Sequence, residues 1–217
     1  MINIYSGRPG NGKSYHAVLK IYNLLRAGSN VITNIDIDVS LIKKCKGEYI
    51  YIDEYDFNDH NFFMGLYGFA MNFHSFNEDG KITKEGQTWL IIDEAQQDYL
   101  LNARTWNNPN RKQWNKFFQL HRHYGYNVLL ISQDLNNIDK QTQRLIQQNI
   151  EHRKFSNFNL LCKLISKITF HTFFICIERD MSLKRSPKAA RMSAYTLISR
   201  KKIYELYNSY TVTDFRR

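Results

Sequence analysis

At 217 residues and 43% hydrophobic content, the chain can form one large α/β domain with an appendage and bury a sizeable core. Its formal net charge of +10 is uneven: residues 1–150 hold 16 Lys+Arg against 15 Asp+Glu, and residues 151–217 hold 14 against 5. Cys45, Cys162 and Cys176 are too dispersed for a disulfide framework or a zinc spacing, which points to reducing surroundings, and the opening "MINIYSGRPG" lacks the features of a signal peptide.

The first predicted strand, "INIYS" at 2–6, runs into "GRPGNGKS", Gly7 through Ser14, which is G-x-x-x-x-G-K-[ST] without a mismatch. An amphipathic helix over 13–26 follows and ends at Gly28. Glycines 7, 10 and 12 let backbone N–H groups turn inward around phosphate oxygens, where a Cβ would obstruct them. The helix directs its positive end at the same anion. Lys13 is expected to reach the β- and γ-phosphates and Ser14 to ligate Mg2+. The expected contact set for ATP is Gly7, Arg8, Pro9, Gly10, Asn11, Gly12, Lys13, Ser14 and Tyr15. A glycine-rich turn without a ligand would explain the glycines alone, but not strand, Lys-Ser pair and helix together.

Strands are predicted next at 30–35 and 49–53, a helix at 62–76, and a strand at 88–93. Helices at 94–104 and 110–124, a strand at 127–132, a helix at 139–148 and a strand at 150–155 complete the pattern. Strands alternating with helices imply a parallel sheet covered on both faces. Two of the strands end in adjacent carboxylates: "YIYIDEYD" at 49–56 and "WLIIDEAQ" at 89–96. The first alternates Tyr and Ile as an edge strand or hairpin does, and only thirteen residues (36–48) separate it from "VITNI", barely enough for a parallel crossover. The second is apolar throughout and precedes another buried strand, "NVLLISQ". Phosphate loop, second strand, Asp-Glu strand and a strand with a polar tip are in the order of P-loop ATPases with an added central strand, a RecA-like architecture. Asp93 is therefore assigned to the metal and Glu94 to the attacking water, with Gln133 as a sensor that hydrogen-bonds the γ-phosphate or that water. Asp53 and Glu54 are read as a solvated strand end.

A boundary near 155–165 separates residues 1–157, the ATPase core, from residues 158–217, a small basic α/β appendage. The late apolar run "ITFHTFFICI" is about half the ~20 residues that span a bilayer. The clusters "SLKRSPKAAR" (182–191) and "SRKK" (199–202) suit an anionic target, either nucleic acid or a phospholipid surface, or a solvated basic face. They carry no zinc-finger or RNP-type signature that would select nucleic acid.

The residues "GRPGNGKSYHAV" at 7–18, "VITNI" at 31–35, "LIIDEAQ" at 90–96 and "HRHYGYNVLLISQDLNNIDKQTQRLI" at 121–146 resemble the Zot-type (zonular occludens toxin-like) assembly ATPases of filamentous phages, a branch of the FtsK/HerA group of DNA-pumping ATPases. The resemblance covers about residues 1–155. It implies an ATPase at the host cytoplasmic face of the inner membrane, driving extrusion of single-stranded phage DNA as coat protein assembles on it. It also implies a homo-oligomeric ring, a hexamer being favoured, with other phage assembly or coat proteins and an anionic membrane surface as partners. Family members typically continue past a basic region into one transmembrane helix, and the basic tail suits a place beside such an anchor. In a ring an arginine from the next subunit reaches the γ-phosphate; Arg122 is the first candidate, with Arg104 and Arg144 behind it. A nucleotide-holding membrane scaffold with negligible turnover, and another FtsK/HerA-like DNA pump, are the alternatives. A secreted toxin is disfavoured by the lack of signal peptide and disulfides, and a P-loop kinase by the lack of a lid-like arginine cluster.

Overall fold

The computed structural model describes residues 1–53, 56–57, 59, 61–97, 100–103, 110–169, 171–183 and 189–207. Its elements are β1 (Ile2–Ser6), α1 (Lys13–Ala27), β2 (Asn30–Thr33), β3 (Tyr49–Tyr51), α2 (Phe62–Phe73), β4 (Thr88–Ile92), α3 (Arg111–Leu120), β5 (Tyr126–Ser132), α4 (Lys140–Gln143), β6 (Gln148–Lys154), α5 (Leu160–Ile168), β7 (Phe173–Asp180), β8 (Arg191–Ile198) and α6 (Lys201–Tyr204). The strands form one sheet in the order β3-β2-β4-β5-β1-β6-β7-β8. Strands β3 through β6 pair in parallel, and β7 and β8 add an antiparallel edge hairpin.

The apolar runs become central strands because both of their faces are covered. All of β1 and β4 is buried, and all of β5 except Asn127. Alternation along each strand then feeds two cores. On one face Ile2, Ile4, Leu90, Ile92, Val128 and Leu130 pack under α2 and α3, with Phe62, Phe63, Trp114, Phe117 and Phe118 at the contact. On the other, Tyr5, Val31, Ile91, Leu129 and Ile131 pack under α1 through Ala17, Val18, Ile21 and Leu25. Gly28 ends α1 with φ 93, and its N–H bonds to the carbonyls of Leu24 and Leu25.

Several sequence boundaries are corrected. "YIYIDEYD" does form an edge strand, but it pairs in parallel, Val31 opposite Tyr49, so thirteen residues and a single 3-10 turn at Val39–Leu41 suffice for the crossover. No helix begins at residue 94: residues 93–97 are turns, and Ala95 N–H bonds to Ile131 O (2.9 Å) instead of building a helical ladder. The helix expected over 139–148 is only α4, because β6 already starts at Gln148. Residue 157 marks no break in the sheet: β6 pairs with β7 from Lys154–Phe174 to Gln148–Asp180. Phe174, Cys176, Ile203 and Leu206 belong to the same core as α1. Much of "SLKRSPKAAR", including Lys184, Arg185 and Lys188, lies outside the described residues, as does Glu54.

Trp114 is fully buried and its ring meets those of Phe57, Phe62, Phe63, Phe117 and Phe118. Trp114→Ala should destabilise the chain by about 3–5 kcal/mol, the cost of removing a large aromatic from a packed core. Denaturant unfolding measures it, and a loss under about 1 kcal/mol would contradict this packing.

Candidate functional site

The buried strand β1 stops at Ser6, and the loop from Gly7 to Gly12 turns over its tip into α1. Gly7 has φ 140, and a Cβ there would lie 2.5 Å from His152 O, so β6 crowds the start of the loop. Gly12 has φ 90, and a Cβ there would lie 2.5 Å from the Phe174 ring, so β7 crowds its end. Gly7 N–H donates to Gln133 O (3.2 Å) and Asn11 Nδ2 to His152 O (2.9 Å), which ties the loop to the tips of β5 and β6. Helix α1 opens on Gly12 with no side-chain cap and no acidic residue in its first turn, an arrangement that suits an anion at its amino end. Lys13 is buried and donates to the carbonyls of Gly7 (2.8 Å) and Arg8 (3.4 Å). Burial lowers its pKa, and the charges of Asp93 and Glu94 oppose that shift.

The tip of β4 meets this loop although β5 lies between β1 and β4. Helix α1 leaves β1 and crosses β5 and β4 to reach β2, so its first turn carries Ser14 over the end of β4. Ser14 Oγ donates to Asp93 Oδ2 at 2.9 Å. Asn34, just beyond β2, accepts from Asp93 N–H (2.7 Å) and donates to Asp93 O (3.0 Å), which clamps that residue's backbone from both sides. Burial raises the Asp93 pKa, against the hydrogen bonds from Ser14 and from Glu94 N–H. An octahedral Mg2+ with oxygens at about 2.1 Å holds adjacent ligands about 3 Å apart. The Ser14 and Asp93 oxygens already have that spacing and are hard donors, so these residues fit the ion.

Glu94 follows at φ 49, a left-handed conformation rare for a residue with a Cβ. That turn ends the strand, exposes the Glu94 carboxylate, and lets Gln96 Nε2 hydrogen-bond to it. Gln133 is exposed at the tip of β5 beside the loop. The structure therefore brings Gly7 through Ser14, Asp93, Glu94 and Gln133 to one end of the sheet. Tyr15 joins them through its backbone alone: its ring is buried against Phe174 and Tyr204, and its hydroxyl donates to Ile198 O (3.1 Å). Asp53 sits at the end of edge strand β3, remote from β1 in the sheet order, and its N–H bonds to Asp56 Oδ2 (2.7 Å).

Arg122, the first arginine candidate, does not join this site. Arg122 lies in the turn before β5, at the end of the sheet opposite the loop, and is paired with Glu85 at 2.7 Å. Arg144 follows α4 and is exposed, and Arg104 lies outside the described residues.

Sequence reasoning missed Asn34 and the flank formed by β6. A cavity of about 640 Å³ opens on that flank, lined by Arg8, Pro9, Gln133, His152, Arg153 and Phe158 among others. It lies beside the Lys13–Ser14–Asp93 group rather than over it. Under the loop, His152 Nδ1 contacts Ile150 O (2.9 Å), His16 Nδ1 contacts His152 Nε2 (2.8 Å), and Tyr5 Oη contacts His16 Nε2 (3.3 Å). A carbonyl can only accept, so His152 donates from Nδ1, His16 donates to His152, and Tyr5 donates to His16. With both rings neutral the chain closes in this direction, whereas protonating both would set two N–H groups against each other. Burial, followed by mutual repulsion and Lys20, holds His16 down at about 3, and burial holds His152 at about 4. Cys176 Sγ lies 4.0 Å from His16, and burial pushes its thiol up to about 12. The three donor atoms lie within 4.8 Å of one another, and hydrogen bonding already accounts for both imidazoles.

A phosphate loop after the central strand, and an added strand between it and the Asp-bearing one, define a P-loop NTPase of the additional-strand, RecA-like type. Within that class, residues 1–213 match the family described as Zonular occludens toxin (Zot), and the chain belongs to it. Among curated proteins it is 25% identical over 170 residues to the Gene 1 protein of Enterobacteria phage f1, covering 76% of this chain and 42% of that one. The Gene 1 protein of Enterobacteria phage M13 is 24% identical over 170 residues, again covering 76% and 42%. The chain thus spans less than half the length of these relatives. Among solved structures, the N-terminal domain of zonular occludens toxin from Neisseria meningitidis superposes with a TM-score of 0.52 at 17% identity, covering 96% of this chain and 98% of that one. The genome packaging NTPase B204 of Sulfolobus turreted icosahedral virus 2, in complex with ATP-gammaS, gives 0.50 at 17% identity, covering 92% and 96%. These two likenesses concern the fold.

Two outcomes are expected. Asn34→Ala strips both partners from the Asp93 backbone, and should cost about 1–3 kcal/mol in denaturant unfolding. The second follows from the histidine chain. An unfolded imidazole titrates near 6.5 and the folded ones near 3 and 4, so the unfolded chain takes up protons first as the pH falls. Stability present above about pH 6.5 should be lost progressively toward about pH 4, and a denaturation midpoint unchanged from about pH 7 to about pH 5 would refute the neutral chain.

Proposed function

We propose that this chain is the ATP-hydrolysing motor of filamentous phage assembly, powering extrusion of single-stranded phage DNA through the host inner membrane from its cytoplasmic face. The observation that carries the reading is the approach of Ser14 Oγ to Asp93 Oδ2, 2.9 Å apart, with Glu94 at the adjoining strand tip. Membership of the Zot family and similarity to phage Gene 1 proteins support phage assembly as the context.

In this reading the loop N–H groups and Lys13 hold the β- and γ-phosphates, and the nucleoside end lies in the cavity beside Arg8 and Phe158. Bound at Ser14 and Asp93, Mg2+ would neutralise charge developing between the two phosphates. Glu94 orients the attacking water and takes its proton, for which its carboxylate must exchange Gln96 for that water. Gln133 hydrogen-bonds the γ-phosphate. The active form is a homo-oligomeric ring in contact with other phage assembly or coat proteins, and a neighbour's arginine stabilises the transferring phosphoryl group. Arg122 can serve only if it leaves Glu85 and the neighbour's opposite sheet end meets this loop.

The Gln96 contact on Glu94 also favours a second reading, a membrane scaffold that holds ATP with negligible turnover. Glu94→Gln separates the two. A working base predicts retained ATP affinity and turnover reduced at least about 10²-fold, whereas Lys13→Ala should weaken binding itself. Turnover unchanged in Glu94→Gln would overturn the assignment, and negligible turnover in the unaltered chain would favour the scaffold.

A further inference from the structure

Helix α5 is mounted in reverse. Asn159 caps it, accepting from Cys162 N–H at 2.8 Å, and none of its nine residues is buried. At 100° per residue, Leu160, Leu161, Leu164, Ile165 and Ile168 form one stripe, and Cys162 and Ser166 lie opposite. A helix on a globular surface turns such a stripe to the core. Here Cys162 and Ser166 are the half-buried pair, and the stripe faces outward, from 39% exposed at Ile165 to 83% at Leu160. Phe158, half exposed just before the helix, continues the apolar surface.

Charge selects what covers it. Lys163 and Lys167 are exposed along one edge of the stripe, beside Leu160, where long stems can follow an apolar layer while the ammonium groups reach its polar boundary. From 152 to 177 the chain carries Lys154, Lys163 and Lys167, besides Arg153, which pairs with Glu151 at 2.7 Å, and no acidic residue. A second copy offering this same face would set lysines against lysines. An anionic lipid layer offers acyl chains to the stripe and phosphates to the cations. Nine residues at about 1.5 Å each are too short to span a bilayer, so the helix would lie in the plane of its surface.

We propose that α5 is a membrane-interface helix that seats Leu160, Leu161, Leu164, Ile165 and Ile168 in an anionic lipid surface with Lys163 and Lys167 at its phosphates. The proposal rests on the inner-membrane reading above and names the surface that makes the contact. Membrane contact then falls beside the nucleotide site, because Asn157 and Phe158, which lead into α5, line the cavity next to the phosphate loop.

Flotation of the full chain with vesicles tests it, using phosphatidylcholine alone and phosphatidylcholine mixed with phosphatidylglycerol. Binding should require the anionic lipid. The exposed-site variant Leu161→Glu/Leu164→Glu should weaken it at least about tenfold, since it removes two leucines from the lipid-facing stripe. Lys163→Glu/Lys167→Glu should weaken it while the unfolding midpoint and lipid-free ATP turnover stay unchanged. Undiminished vesicle binding by both variants would overturn the α5 assignment and leave the membrane reading intact, with the contact elsewhere. Failure of the unaltered chain to bind either vesicle would overturn both. A change of oligomeric state without lipid in the leucine variant, with vesicle binding preserved, would reassign the face to a protein interface and likewise overturn the proposal.

Discussion

The site depends on a problem of reach: Ser14 follows β1, Asp93 follows β4, and β5 stands between them. Adjacent strands are about 4.8 Å apart, so two carriers separated by an intervening strand begin about 10 Å apart at their tips. The chain spans that gap with α1, which must cross both β5 and β4 to reach β2, so its first turn slants over the tip of β4. The Ser14–Asp93 hydrogen bond results from that crossover. Asn34 completes the arrangement, since β2 is paired with β4 and ends just short of it. Its side-chain amide fixes the Asp93 backbone at the point where the sheet's own ladder stops.

The other flank of the loop is shaped by the C-terminal half. His152 O fills the space beside Gly7 and accepts from Asn11, and the Phe174 ring fills the space beside Gly12. Tyr15 is drawn toward the same half by its bond to Ile198 O, while Arg200 N–H donates to its hydroxyl (2.9 Å). Residues after 157 are therefore structural partners of the phosphate loop, even though their charge sets them apart from the first 150 residues. Charge composition reports what a surface faces, and sheet pairing reports what folds together; here the two divide the chain differently.

That contrast explains what could be read in advance. The loop, α1 and the central strands were legible because each couples a local pattern to a local requirement. Glycines occupy the positive-φ positions 7, 10 and 12, and the runs at 88–92 and 126–132 are apolar enough to be buried on both faces. The choice of Asp93 over Asp53 followed from the same cue, since β3 alternates as an edge strand does. The turn after Asp93 was not legible: "EAQQ" favours a helix, and a tertiary bond from Ala95 N–H to Ile131 O overrides it. Asn34 and His152 were missed because each acts on a residue more than fifty positions away, and no local pattern announces such a partner. Helix α5 and its outward face were equally hidden: no helix was read over 160–168, and only packing shows which side the protein kept.

The nucleotide site and α5 share one short connection. Strand β6 supplies His152, Arg153 and Lys154 to the cavity, the 3-10 turn Phe155–Asn157 follows, and Asn159 caps α5 two residues later. Phe155 holds this turn by meeting both Phe158 and Phe173, the first residue of β7. On the proposal that α5 lies in a lipid surface, an occupant of the cavity and the surface that seats the helix press on opposite ends of the same few residues. Coupling between two binding events is reciprocal, so any preference of the lipid-bound turn for a filled cavity is matched by an equal preference of the filled cavity for lipid. The ring contacts of Phe155 distinguish this connection from a glycine- or serine-rich linker, which would absorb such a preference. On the further proposal that the chain drives transport through that membrane, this turn would join its hydrolytic site to the lipid-facing helix.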